Sequence, residues 1–148
     1  MTAPTTAGAS SARRPVPAPD SQSEPFWAAA ASHQLTLARC ARCGRFTHPP
    51  EAVCPLCGST DPGFRFEPVS GQGQVRSWTV VRQSFLPGFE VPFLLVDVEL
   101  ADQVDLRLIG RLLDGVDVPL RIGDEVTVVF EDVADGVSVP AFRLAGAR

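Results

Sequence analysis

The chain contains no lysine; all thirteen of its basic residues are arginine. It has only two histidines, His33 and His48, so everything after residue 48 lacks the usual general base. No apolar run approaches eighteen residues, so no segment is expected to span a membrane as a helix. No stretch forms a phosphate loop. Gly71-Gln72-Gly73 leads into a strand pattern rather than opening a helix, so it reads as a turn and not as a dinucleotide fingerprint. A Gly-x-Ser-x-Gly nucleophile elbow is also missing. Arg13-Arg14 is followed by Pro15-Val16-Pro17-Ala18-Pro19 instead of an apolar core, which argues against secretion and twin-arginine export. The expected compartment is the cytoplasm. Asp97 and Glu99, spaced to share a strand face, are the one carboxylate pair that could pose as an acid and a base. Carboxylates on an outer strand face are ordinarily just solvated, so no covalent chemistry is expected of the chain alone.

What the chain does have suffices for one small module and one compact domain. Its 148 residues are 45% hydrophobic and 20% charged, enough apolar material for a core. The charge is asymmetric. Residues 1–67 hold six arginines against five acids, and residues 68–148 hold seven against twelve. Affinity for nucleic acid rests largely on phosphate neutralisation, and an acidic C-terminal half is poorly suited to it.

The four cysteines are the strongest motif. Cys40-Ala41-Arg42-Cys43 and Cys54-Pro55-Leu56-Cys57 are separated by ten residues, and each pair is followed by a glycine, Gly44 or Gly58. Two such pairs can set four thiolates at the corners of a tetrahedron, and the glycines allow the chain to turn tightly around an ion. A rubredoxin-type iron site would use the same sulfurs. Disulfides suit an oxidising compartment, which nothing in the chain indicates, and a thioredoxin-like redox motif normally comes as a single pair. With all four positions filled by protein, the expected role is structural, with zinc the favoured ion. Arg39, Arg42 and Arg45 flank the first pair and either offset its charge or are simply solvated. His48 lies between the pairs and is expected at the surface, since four sulfurs saturate the ion.

Residues 1–22, rich in Ala, Thr, Ser and Pro, read as a disordered tail. Ser23 is a plausible N-cap for a helix over about Glu24–His33, with His33 near the C-terminal dipole. Phe26 and Trp27 on that helix are either an interface anchor or packing for the neighbouring module. Leu35–Arg39 reads as a strand, and Asp61-Pro62-Gly63 as a turn. Strands are expected near 73–83, 91–100, 104–112, 125–131 and 137–144. Val104–Leu112 alternates throughout, with Val104, Leu106, Leu108, Gly110 and Leu112 on one face. Phe93 and Leu95 break the alternation of their strand, so something should cover its start. Pro140 points to an edge or a bulge. The expected fold is mainly β: a short N-terminal helix, a metal-bound module and a small five-stranded barrel of the OB type, with an SH3-like barrel as competitor.

Over about residues 25–145 the sequence resembles the zinc-ribbon plus OB-fold proteins of the domain-of-unknown-function 35 family. The residues carrying the resemblance are, in order, Phe26-Trp27; Leu37 to Gly44 through the first cysteine pair; Pro49-Pro50; Cys54 to Ser59; Gly71 to Val81; Pro87-Gly88-Phe89 with Pro92-Phe93; Val98-Glu99-Leu100; and Ile122 to Val126. The third barrel strand departs, reading Leu108-Ile109-Gly110-Arg111 where many relatives have an asparagine-containing stretch. The resemblance implies a rubredoxin-like zinc ribbon stacked on an OB barrel. The domains are then the tail 1–22, the helix and lead-in strand 23–36, the ribbon 37–67 and the barrel 68–148. It also implies a noncatalytic accessory subunit of a thiolase-like enzyme or a hot-dog-fold enoyl-CoA hydratase, with acyl-CoA at the shared interface, in lipid, steroid or polyketide metabolism. Arg82, Phe85, Phe89 and Phe93 around Pro87-Gly88 are candidates for contact with partner or acyl-CoA, or else they close the barrel end. Two other readings remain: a single-stranded nucleic-acid-binding module and an iron electron carrier.

Overall fold

The computed structural model describes residues 13–146. Of the stretch expected as a tail, residues 1–12 lie outside the described residues. Residues 13–19 have no regular secondary structure and lead to a turn at Asp20, whose carboxylate accepts from the Gln22 and Ser23 N–H groups and from the Ser23 hydroxyl. Ser23 is the N-cap of helix α1 (Glu24–Ala31), but its side chain does not cap the helix.

Helix α1 stops two residues short of the expected end. His33 adopts φ +57°; its N–H bonds to the Ala30 carbonyl and the Gln34 N–H to the Ala29 carbonyl, which together close the last turn. A non-glycine residue in this conformation needs support from elsewhere. The His33 ring stacks on Phe130 at 5.3 Å, and its Nε2 lies 2.7 Å from Asp132 Oδ1. His33 therefore ties the C-terminal end of the helix to the barrel.

Three short strands follow: β1 (Thr36–Arg39), β2 (Phe46–Thr47) and β3 (Arg65–Pro68). They form an antiparallel sheet in the order β2-β1-β3. The remaining strands are β4 (Gln72–Val81), β5 (Phe93–Leu100), β6 (Arg107–Leu112), β7 (Glu125–Ala134) and β8 (Val137–Leu144). They close into a barrel in the order β4-β5-β6-β8-β7, with β6 and β8 parallel and every other pair antiparallel. The mainly β architecture with a five-stranded OB barrel is as expected. A register shift between Val75 and Ser77 lets the long β4 bend around the barrel.

Strand β6 is shorter than its sequence pattern. Alternation holds from Leu106 onward, but Val104 is 73% exposed and Asp105 sits at φ +61° in a turn. The turn has another task. The Gln103 amide accepts from the Phe46 N–H at 2.8 Å and donates to the Phe46 carbonyl at 2.9 Å, behaving as one more strand residue beside the ribbon sheet. Pro140 lies within a closed barrel, so there is no free edge. The β6–β8 ladder begins only at Ala141, so Pro140 stands where no donor to β6 is needed, and the register shift in this hairpin falls at Asp132–Ala134 instead.

The core is shared between the two modules. Phe26, Leu35 and Leu37 join Val75, Val96, Val98, Leu100, Val126 and Phe142 in one buried cluster. Helix and ribbon are thereby fixed to the barrel by apolar burial, at about 25 cal/mol per Å² of surface removed from water. Phe142 has no exposed surface. Phe142→Ala is expected to lower stability by about 3–5 kcal/mol, read as a reduced urea midpoint with the slope unchanged.

Candidate metal centre and docking loop

Two near-identical turns build the metal site. In the first, the Gly44 N–H bonds to the Cys40 carbonyl and the Cys40 N–H to the Arg45 carbonyl. In the second, the Gly58 N–H bonds to the Cys54 carbonyl and the Cys54 N–H to the Ser59 carbonyl. Gly44 and Gly58 sit at φ +72° and +74°, the left-handed conformation each turn requires. The Asp61-Pro62-Gly63 turn returns the chain so that the Pro62 carbonyl accepts from the Ala41 N–H at 2.8 Å.

These turns bring the four Sγ atoms within 4.8 Å of one another. Cys40–Cys57 and Cys43–Cys54 are each 3.9 Å apart, nearly twice the length of a disulfide (about 2.05 Å). Four sulfurs at about 2.3 Å from a tetrahedral zinc would stand about 3.8 Å apart, close to the two shortest contacts here, so the set suits such an ion. The thiols alone are ill-matched. Burial pushes Cys40 up, but the N–H groups of Cys43 and Arg42 and the neighbouring thiols outweigh it and bring Cys40 down to about 7. The Ser59 N–H works to lower Cys57, while burial and the other three thiols push it up to about 11. A cation bound among the sulfurs would favour their thiolate forms.

The flanking arginines brace the turns. Arg42 donates to the Asp61 carboxylate at 2.6 Å and to its carbonyl at 3.0 Å. Arg39 donates to the Gly44 carbonyl at 2.7 Å and to Glu67 at 3.0 Å, with its guanidinium over the Phe46 ring. His48 is not part of the sulfur cluster. It is half-buried rather than on the surface, 5.0 Å from the Phe26 ring, and burial lowers its pKa below the usual histidine range.

The acid–base candidates are occupied. Asp97 takes both arms of the Arg107 guanidinium, at 3.0 and 2.5 Å, and Glu99 accepts from the Asp105 N–H at 3.0 Å. Among the described residues, no helix is long and apolar enough to cross a membrane.

The residues around Pro87-Gly88 divide. Phe89 and Phe93 lie 6.2 Å apart over the outer face of β5, and the Arg111 guanidinium is 5.2 Å from the Phe93 ring. Phe89 and Arg111 cover Phe93, one of the two residues that break the alternation of β5. Phe85 is different: it is 89% exposed, beside Leu86 at 57%. The Ser84 hydroxyl donates to the Leu86 carbonyl and accepts from its N–H, holding this tip outward. Arg82 is exposed at the base of the loop. Phe26 is buried in the shared core and Trp27 is half-buried beside it, their rings edge-to-face at 4.8 Å. Leu86 and the exposed Trp78 of β4 were not singled out from sequence. An exposed apolar residue on a loop or strand looks the same in sequence as one that folds inward.

Comparison with known proteins accords with this geometry. Residues 27–63 match the family model described as the rubredoxin-like zinc ribbon domain of ChsH2, and residues 66–131 match its C-terminal OB-fold domain. The chain also superposes on the structure described as "Ltp2-ChsH2(DUF35) aldolase" with a TM-score of 0.76 and 32% identity, covering 88% of this chain and 99% of that one. The chain belongs to the DUF35 family of zinc-ribbon/OB-fold proteins. A DUF35 protein of unknown function from Sulfolobus solfataricus shares the fold, with a TM-score of 0.55 at 12% identity over 84% of this chain and 86% of that one. A probable enoyl-CoA hydratase alpha subunit of Thermomonospora curvata is 33% identical over 134 residues, 90% of this chain and 41% of the relative. The 3-oxo-4,17-pregnadiene-20-carboxyl-CoA hydratase alpha subunit of Mycobacterium tuberculosis is 31% identical over 110 residues, 74% of this chain and 34% of the relative. The chain thus spans about two-fifths or less of these curated relatives.

A metal-dependent ribbon makes a direct prediction. Cys54→Ser, or a strong chelator applied to the wild type, is expected to abolish metal retention and unfold residues 40–63, seen as loss of amide protection there. Binding to such sites is worth roughly 10–16 kcal/mol, more than a ribbon of this size can replace.

Proposed function

We propose that the chain is a noncatalytic accessory subunit of an acyl-CoA enzyme complex. It stabilises a thiolase-type or hydratase partner and contributes surface to the bound acyl-CoA, in lipid, steroid or polyketide metabolism in the cytoplasm. The observation that carries this reading is the near end-to-end match to the chain described in an aldolase complex with Ltp2. The two hydratase alpha subunits, similar over nearly all or most of this chain, point to the same class of chemistry.

The side-chain inventory agrees with a docking role. The cysteines form one closed cluster, His33 is engaged by Asp132, and Asp97 by Arg107. We assign zinc to the four sulfurs, with a purely structural role because no coordination position is left for substrate. The exposed Phe85–Leu86 tip is our candidate for the partner contact, since an exposed aromatic is the kind of residue that dominates interface energetics when a partner buries it. Arg82 beside it is suited to a coenzyme A phosphate.

A tagged chain expressed in its native host is expected to retain a thiolase-like or hydratase subunit. The Phe85→Ala/Leu86→Ala double variant should weaken that association by about 2 kcal/mol, roughly thirtyfold, with metal content unchanged. A chain that retains no such subunit, or that turns over a thioester unaided, contradicts the proposal.

A further inference from the structure

The segment Arg13-Arg14-Pro15-Val16-Pro17-Ala18-Pro19 has proline at every second position from 15 to 19. Proline fixes its own φ and turns the preceding residue away from the helical region, so such a segment is extended before it touches anything. Little conformational freedom is lost when it docks, which is why proline-rich peptides make good ligands for aromatic-lined grooves.

In this structure the segment is docked on its own chain. Pro17 and Pro19 share a groove with Trp27 of α1 and Val137 at the start of β8. Farther along, the Arg14 guanidinium lies 5.0 Å from the Phe89 ring, and its Nη1 is 3.7 Å from Glu131 Oε1. Glu131 Oε1 also accepts from Arg111 at 2.8 Å, while the buried Oε2 has no hydrogen-bond partner among the described residues and can accept more. The backbones meet as well. A Cβ built on Gly88 would fall 2.2 Å from the Arg14 nitrogen and 2.5 Å from the Arg13 carbonyl carbon. Among the described residues, no backbone hydrogen bond joins residues 13–19 to a barrel strand. The segment is held by ring, charge and shape alone, as a bound peptide is.

We propose that the face formed by Gly88, Phe89 and Glu131 is a recognition site for an extended arginine–proline peptide, and that residues 13–19 are its resident ligand in cis. Charge complementarity supports this occupant, since a doubly basic segment lies on the acidic half of the chain. One consequence rests on the partner reading above: the arm covers Phe89, next to the Phe85–Leu86 tip, so a partner that extends onto Phe89 must first lift it. The docking itself does not rest on that reading and is measured on the full chain alone.

Trypsin cuts after arginine but not before proline, so the Arg13–Arg14 bond reports the arm. Glu131→Gln, Phe89→Leu and Gly88→Ala are each expected to speed cleavage at this bond by about tenfold, because cleavage follows the population of the released form. Gly123→Ala carries similar backbone strain, at φ +92° with nothing within 4 Å of its Cβ, and should cut at the wild-type rate. A labelled peptide of residues 13–20 should bind the full-length Arg14→Ala chain at least about fivefold more tightly than the wild type, whose site is filled. Equal cleavage of all these chains, or a peptide that fails to prefer the Arg14→Ala chain, overturns the proposal.

Discussion

Four sulfurs brought within 4.8 Å of one another by two matched turns are the constraint around which the ribbon is built. Backbone N–H groups from Cys43 and Arg42 bring Cys40 down while burial and the other thiols push Cys57 up, and a bound cation favours the thiolate form of its sulfur ligands. The segment between Cys40 and Gly63 has little besides these sulfurs, and the ion they are shaped to hold, to organise it. The segment's regular structure is the two-residue strand β2, and its backbone bonds outside that strand are those of the turns and the Pro62 return. Arg39 and Arg42 tie the turns to Glu67 and Asp61, but exposed ion pairs of this kind contribute little by themselves.

Once rigid, the ribbon is joined to the barrel by contacts of different kinds. Apolar burial joins Phe26, Leu35 and Leu37 to the barrel core. A side-chain amide, Gln103, satisfies both backbone groups of Phe46. A histidine held in a left-handed conformation stacks on Phe130 and meets Asp132. The polar contacts have a geometric requirement that apolar burial lacks, so they set the orientation of the ribbon while the core supplies the adhesion. The result is a two-module body in which His33, Asp97 and Arg107 are engaged in ion pairs while Phe85, Leu86 and Trp78 stand exposed. Such exposed apolar groups are suited to binding a partner surface.

Local patterns in the sequence made most of this readable. The paired cysteines and following glycines specify the turns through short-range geometry, and the metal centre lies where they place it. The alternation in β5 and β6 specifies which face is buried, and the unusual apolar residues on the outer face of β5 announced a cover later found in Phe89 and Arg111. The features that escaped sequence reasoning depend on distant partners. Val104 fits the β6 alternation, yet the chain turns there because Gln103 is engaged by a residue 57 positions away. His33 looked like a helix end because its partner Asp132 lies 99 positions on. His48 was expected at the surface because nothing local revealed the Phe26 ring against it. Arg14 read as part of a tail because Gly88, Phe89 and Glu131 become a site only when the barrel closes.

The central claim is that one metal ion, held by four thiolates, organises the ribbon half of the molecule. Native mass spectrometry of the freshly purified full-length chain tests it most directly. The account predicts one zinc per folded chain, with four protons displaced from the cysteines. A folded chain at its metal-free mass would contradict it.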